Sequence, residues 1–184
     1  MDVLEAIRTR QSIGKVRPDP VPRELIERML SAGVQAPNHY QVRPWRFVVL
    51  TGDARVRLGD VMAASLHKQD ASANTESLAR ERAKPLRAPV LIAVGVDKPG
   101  IPKVVEIENV CAAAAAIQNM LLAAHALGLA AMWRTGTAAY DADVKTFLGF
   151  APDQHVIGFI YVGYPATPPP PQRPSHHDRT VWMD

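Results

Sequence analysis

One cysteine, Cys111, is present among 184 residues, so the chain forms no internal disulfide and offers no cysteine-based metal site. Such usage suits a reducing cytoplasm. The opening MDVLEAIRTR lacks the basic-then-apolar order of a signal peptide. Phosphate-binding glycine motifs are missing too. No G-x-G-x-x-G follows a strand and no G-x-x-x-x-G-K-[ST] occurs, which removes the dinucleotide fingerprint and the P-loop. No G-x-S-x-G is present, so the serine-hydrolase elbow is excluded. The six histidines contain no pair at helical metal spacing, and His176 and His177 are simply adjacent, so no metal site is expected.

An excess of one charge is also missing. Net charge is +3, without the dense basic stripe of a nucleic-acid binder. Arg8, Arg10, Lys15, Arg17, Arg23 and Arg28 are the set on which a small nucleic-acid module would have to rest. The 47% apolar and 21% charged content belongs to a globular domain, not a disordered chain. One apolar run needs a membrane check. Val110 to Trp133 reads VCAAAAAIQNMLLAAHALGLAAMW, about long enough to span a bilayer. Gln118, Asn119 and His125 interrupt it and alanine is only weakly hydrophobic, so a helix surrounded by protein is expected instead. Within that run Cys111 reads as a small buried hydrophobe.

What is present divides into alternating helices and strands. Asp2 and Glu5 resemble a capping box ahead of Val3, Leu4 and Ile7, predicting a helix over residues 2–10. Leu25, Ile26, Met29, Leu30 and Gly33 share one face of a helix at 22–34, which Ala36-Pro37 stops. A strand at 47–50 and a helix at 54–67 follow. The polar stretch 68–87 reads as a solvated helix or a mobile lid. Residues 89–96 form a strand apolar on both faces, and the alanine-rich helix at 105–127 ends at Gly128. A strand at 130–134, a helix at 141–148 and a strand at 156–162 complete the pattern. The expected fold is α+β: one domain over 1–184, a small mixed or antiparallel sheet flanked by helices, and an extended proline-rich tail over 165–184.

Candidate site residues gather at element ends. Arg8-Thr9-Arg10-Gln11-Ser12 closes the first helix, where an arginine fork and neighbouring polar groups match a phosphate. Residues 36–47, APNHYQVRPWRF, are too rich in hydrogen-bonding side chains for an idle connection and read as a ligand-lining loop. Trp133-Arg134-Thr135-Gly136 is a second strand-end loop with donors and an aromatic ring.

Taken in order, I-x-x-R-x-S, AP-(6)-PWRFVV, G-L-x-x-x-W-R-T-G and V-x-G-F-I-Y-V-G-Y-P resemble the nitroreductase family of FMN enzymes, over nearly the whole chain. The resemblance implies an intertwined homodimer with FMN at the subunit interface. It places Arg10, Gln11 and Ser12 on the phosphate and ribityl chain. Gln35 and His39 would reach the FMN of the opposite subunit, with Pro37 and Asn38 lining the same loop. Trp133, Arg134 and Thr135 match the loop beside the flavin ring, and Arg173 resembles a late arginine closing on the phosphate. Ala123, Ala124, His125, Ala126, Leu127 and Gly128 match a stretch assigned to the pyridine nucleotide.

Two departures stand out. The family usually has Asn-x-Gln-Pro-Trp where this chain has Gln41-Val42-Arg43-Pro44-Trp45, and Gln11 replaces the second arginine of Arg-Arg-Ser. The implied activity is a ping-pong transfer from NADH or NADPH through FMN to a small electron-poor acceptor such as a nitroaromatic or quinone. No catalytic side chain is implied, because the chemistry lies on the flavin. The rival within the same fold is an FMN-binding carrier, oxidase or dehalogenase.

Overall fold

The computed structural model describes residues 1–167 and 176–183. Ten elements follow one another: α1 (Val3–Thr9), α2 (Arg23–Gly33), β1 (Trp45–Leu50), α3 (Gly52–Gln69), α4 (Thr75–Ala83), β2 (Val90–Val96), α5 (Glu106–Ala126), β3 (Ala130–Arg134), α6 (Ala142–Phe147) and β4 (His155–Gly163). The strands pair in the order β1-β2-β4-β3, every neighbour antiparallel, so the sheet is antiparallel rather than mixed. The helix starts are chemically set. Asp2 accepts the N–H of Glu5 at 2.9 Å, and Asn74 accepts that of Ser77 at 2.8 Å.

β2 explains the layering. Val90, Ile92, Val94 and Val96 join α2, α5, Ile160 and Val162 in one core, whereas Leu91 and Ala93 join α3, α6 and Phe159 in a second. Both faces of this antiparallel sheet are therefore covered by helices, and every residue of β2 is buried. Small residues permit the close contacts. A Cβ on Gly33 of α2 would lie 2.9 Å from Met120 of α5, so that crossing depends on glycine.

The stretch 68–87 resolves into the end of α3, a turn, α4 and a helical turn at Lys84–Arg87. Its helix α4 is solvated, with no buried residue of its own, and is laid against α3, while Pro85 in the helical turn is buried. A Cβ on Gly59 would meet the Arg82 carbonyl at 2.2 Å, so α4 approaches α3 backbone to side. The expectation for α5 needs correcting. Ala112, Ala113, Ala116, Ile117, Met120 and Ala124 face the core, but only 44% of its apolar 18-residue window is buried. Cys111, expected inside, is exposed, because it points off α5 away from the sheet. An all-round apolar helix carries no mark of which face a single chain covers.

Candidate functional site

α1 stops at Arg10, and the following residues run along the sheet edge. Ile13 donates to the carbonyl of Ala131 at 3.2 Å, Arg17 to that of Tyr164 at 2.8 Å, and Ala166 to that of Lys15 at 3.1 Å. Arg10, Gln11 and Ser12 are thus fixed beside β3. A Cβ on Gly14 would sit 2.9 Å from Met132 and 3.5 Å from Nη2 of Arg134, so the two segments touch closely. Arg10 is half-buried, and its Nη1 is buried without a hydrogen-bond partner among the described residues. Buried guanidinium N–H groups are normally satisfied, and leaving one unmade is costly. The missing partner fits an oxyanion such as phosphate, whose geometry the guanidinium fork matches.

Beyond Arg134 the chain turns at Gly136, whose φ of +94° suits glycine, and closes over a cavity of about 430 Å³. Trp133, Arg134, Thr135, Lys84, Arg87 and Tyr161 line it, above Leu58, Met62, Leu91 and Phe159. It is apolar below and cationic above, on the scale of a small-ligand site. The guanidinium of Arg134 lies 5.9 Å from the centre of the Tyr161 ring. Burial raises the Tyr161 pKa above its usual value, against the opposing pull of Arg87 and Arg134, so the phenol stays protonated at neutral pH. Lys84 is ion-paired with Glu81. Lys84, Arg87 and Tyr161 escaped the sequence reading. KPLR sits in a featureless polar run, and only the β2–β4 pairing, which sets Tyr161 opposite Leu91, brings Tyr161 to it.

The loop expected to serve a ligand stands elsewhere. It precedes β1, and β1 and β3 are the two opposite edges of the sheet, three strand spacings or about 14 Å apart. One chain therefore does not bring Gln35, Pro37, Asn38 and His39 to Arg10 or Trp133. The loop is strained and tightly tied. Tyr40, Gln41 and Arg43 have φ of 49°, 54° and 50°, left-handed values that cost an L residue roughly 1–2 kcal/mol each. Asn38 accepts the N–H of Arg43 at 2.8 Å, and Nδ1 of His39 lies 2.6 Å from Oε2 of Glu108 on α5. That bond, with one from the Val105 N–H, holds the Glu108 carboxyl below the usual carboxylate range. Gln35 and Pro37 are exposed.

The stretch Ala123 to Gly128 is the end of α5 and its stop. Ala124 is in the core, Leu127 donates to the carbonyl of Ala123 at 2.9 Å, and Gly128 takes φ of +75°. His125 is turned to Thr9, while Ala126 and Gly128 are exposed. Arg173 lies outside the described residues.

A family model described as "Nitroreductase family" matches residues 7–164. The chain is 31% identical over 166 residues to "Putative NAD(P)H nitroreductase YdjA" of Escherichia coli (strain K12), covering 90% of this chain and 89% of that protein. It is 37% identical over 179 residues to a "Putative NADH dehydrogenase/NAD(P)H nitroreductase" of Methanothermobacter thermautotrophicus, covering 92% and 80%. Among solved structures, a "putative nitroreductase in complex with fmn" from Desulfovibrio desulfuricans superposes with a TM-score of 0.78 at 30% identity, covering 100% of this chain and 98% of that one.

Proposed function

The chain belongs to the nitroreductase family, and on that footing we propose that it is an FMN-dependent NAD(P)H oxidoreductase. The observation that carries this reading is the buried, partnerless Nη1 of Arg10, on a segment whose Gly14 packs against Met132 and Arg134 of the strand that borders a cationic, aromatic-walled cavity. A phosphomonoester satisfies that nitrogen, and a flat ring suits that cavity. Bound FMN supplies a two-electron carrier that nicotinamide reduces and an electron-poor acceptor, a nitroaromatic or quinone, reoxidises in turn.

The side chains bind and polarise. Arg10, Gln11 and Ser12 hold the phosphate end. Trp133, Arg134 and Thr135 flank the ring, and Lys84, Arg87 and Arg134 supply positive charge where negative charge collects on reduction. Tyr161, kept protonated, offers a hydrogen-bond donor in the same space. Fixed cations in a partly dry cavity need no reorganisation as that charge appears.

The site is shared between two copies. Gln35 and His39 stand at the sheet edge remote from Arg10, which suits them to the partner's flavin and not their own. Exposed apolar side chains on α1 and α5, including Leu4 and Ile107, supply the surface for a second copy. Pro37 and Asn38 shape the same loop. Arg173 and the turn from Ala123 to Gly128 are assigned, by family resemblance, to the phosphate and to the pyridine nucleotide.

The test is optical. Purified protein supplied with FMN is expected to be yellow, and anaerobic NADH or NADPH to bleach the flavin band, with colour returning on adding a nitroaromatic or quinone. Protein that takes up no FMN overturns the reading. Yellow protein that neither nucleotide bleaches is the carrier instead.

A further inference from the structure

Where β4 pairs with β2 it carries one extra residue. Val94 of β2 faces Gly158, yet Gly95 faces Val156, so Ile157 is the extra residue of a bulge. The carbonyl of Ile157 accepts the indole N–H of Trp133 at 3.1 Å. Gly158 has φ of +146°, which L side chains rarely adopt. A Cβ there would lie 2.5 Å from Nε1 and 3.0 Å from Cδ1 of Trp133, and 2.5 Å from the Arg134 carbonyl. The residue must therefore lack a side chain twice over, once for its backbone and once for the ring beside it.

The ring so held borders two spaces. On one side is the cavity of about 430 Å³ with Lys84, Arg134 and Tyr161. On the other is an open recess of about 610 Å³, lined by Ile107, Val110, Tyr140 and His155 as well as Trp133. Trp133 is 37% exposed in the single chain, so packing within that chain does not pin it. A bulge that merely bent the sheet would leave no particular partner for its extra carbonyl. This one offers an acceptor and a bare backbone to the same indole.

We infer that the Ile157–Gly158 bulge is a seat that fixes Trp133 as the partition between the flavin cavity and the apolar recess, making Gly158 a positioning residue for that cavity. The role of the partition rests on the FMN reading; the existence of the seat does not. Losing one net hydrogen bond shifts the seated population roughly two- to tenfold.

The experiment reads the indole and the flavin separately, in full-length protein carrying Trp182→Phe, with Trp45 buried. Without flavin, the near-UV circular dichroism lost on Trp133→Phe is expected to be a sharp indole band, and Gly158→Ala to lose the same band while acrylamide quenching of Trp133 rises. With FMN bound, Gly158→Ala is expected to relieve quenching of flavin emission and to change KM for aromatic acceptors more than kcat. Adding Gly158→Ala to Trp133→Phe should change emission and KM no further than Trp133→Phe alone. If Gly158→Ala does not fold, Trp133→Phe still decides: an unchanged near-UV spectrum means that the indole is not fixed and overturns the seat. A folded Gly158→Ala protein with wild-type quenching and flavin emission overturns it equally. Failure of every form to take up FMN removes the cavity reading alone, because the indole signals remain to judge the seat.

Discussion

The hydroxyl of Thr9 and Nε2 of His125 stand 2.7 Å apart, joining the end of α1 to the last turn of α5. Thr9 also lies 2.6 Å from the carbonyl of Glu5. A hydroxyl has one hydrogen, so it donates to the carbonyl and accepts from the Nε2–H of His125. The residue after Thr9 is Arg10, and the histidine therefore steadies the segment proposed to meet the phosphate. His125→Ala is expected to weaken FMN binding roughly two- to tenfold, the worth of one neutral hydrogen bond. Thr9→Val should do the same, and the double variant no more than either. Fluorescence titration with FMN checks this, and additive losses would break the link.

Arg10 itself should matter more. A charged hydrogen bond to a buried phosphate is worth about 1.5–3 kcal/mol, so Arg10→Ala is expected to bind FMN roughly ten- to a hundredfold more weakly. The folded protein should lose little, since the variant removes a polar nitrogen that already lacks a partner. Thermal unfolding without flavin and equilibrium titration with it separate the two effects. Unaltered affinity would place the phosphate elsewhere.

The surface of α5 carries the third prediction. Ile107 is 61% exposed in the single chain, so Ile107→Asp leaves the monomer's core intact. At an apolar contact between copies the same carboxylate would be buried without a counter-charge, at a cost of about 3–5 kcal/mol. Sedimentation is expected to show a dimer for the unaltered chain and a monomer for the variant, and flavin content to fall with it, because the proposed site needs His39 and Arg10 to meet across the interface. A flavin-loaded monomer of the unaltered chain would contradict the shared site.

The elements themselves were legible. β2 was readable because its apolar run is strand-length, rich in valine and isoleucine and preceded by Pro89, and α2 because Ile26, Met29 and Gly33 recur at helical spacing. Arg10 and Trp133 were legible as candidate residues at element ends, and the structure places them there. Other features depend on the third dimension. Tyr40, Gln41 and Arg43 carry no sign of left-handed backbone, since they are not the glycine, asparagine or aspartate that favour it. Lys84 and Arg87 gain meaning only when β4 sets Tyr161 beside them. The outward face of α5, with Cys111 on it, was hidden by a composition that looks buried whichever partner covers it.

Acid should loosen the cavity through Asp141. This carboxylate caps α6 by accepting the Val144 N–H at 2.9 Å, and it also accepts from Ser65 and from Gln69 at 2.8 Å, both on α3. Partial burial pushes its pKa up, but those hydrogen bonds together outweigh burial and hold it below the usual carboxylate value. An unfolded chain then binds the proton more readily than the folded one, so the stabilisation is fully present above the ordinary aspartate range. It disappears as pH falls through the lowered folded value. Asp141 stands next to the turn that brings Thr137 and Ala138 to the cavity, so its loss should be felt there. Asp141→Ala is expected to cost about 1–2 kcal/mol at neutral pH, from the lost cap and the lost acceptor for the Ser65 hydroxyl. It should also flatten the acid limb of the stability curve, and FMN release should begin at higher pH than in the unaltered protein. Denaturant unfolding followed from neutral to acid pH checks the first two expectations, and flavin emission on the same samples the third. Parallel curves for the two proteins would mean that Asp141 does not set the acid limit.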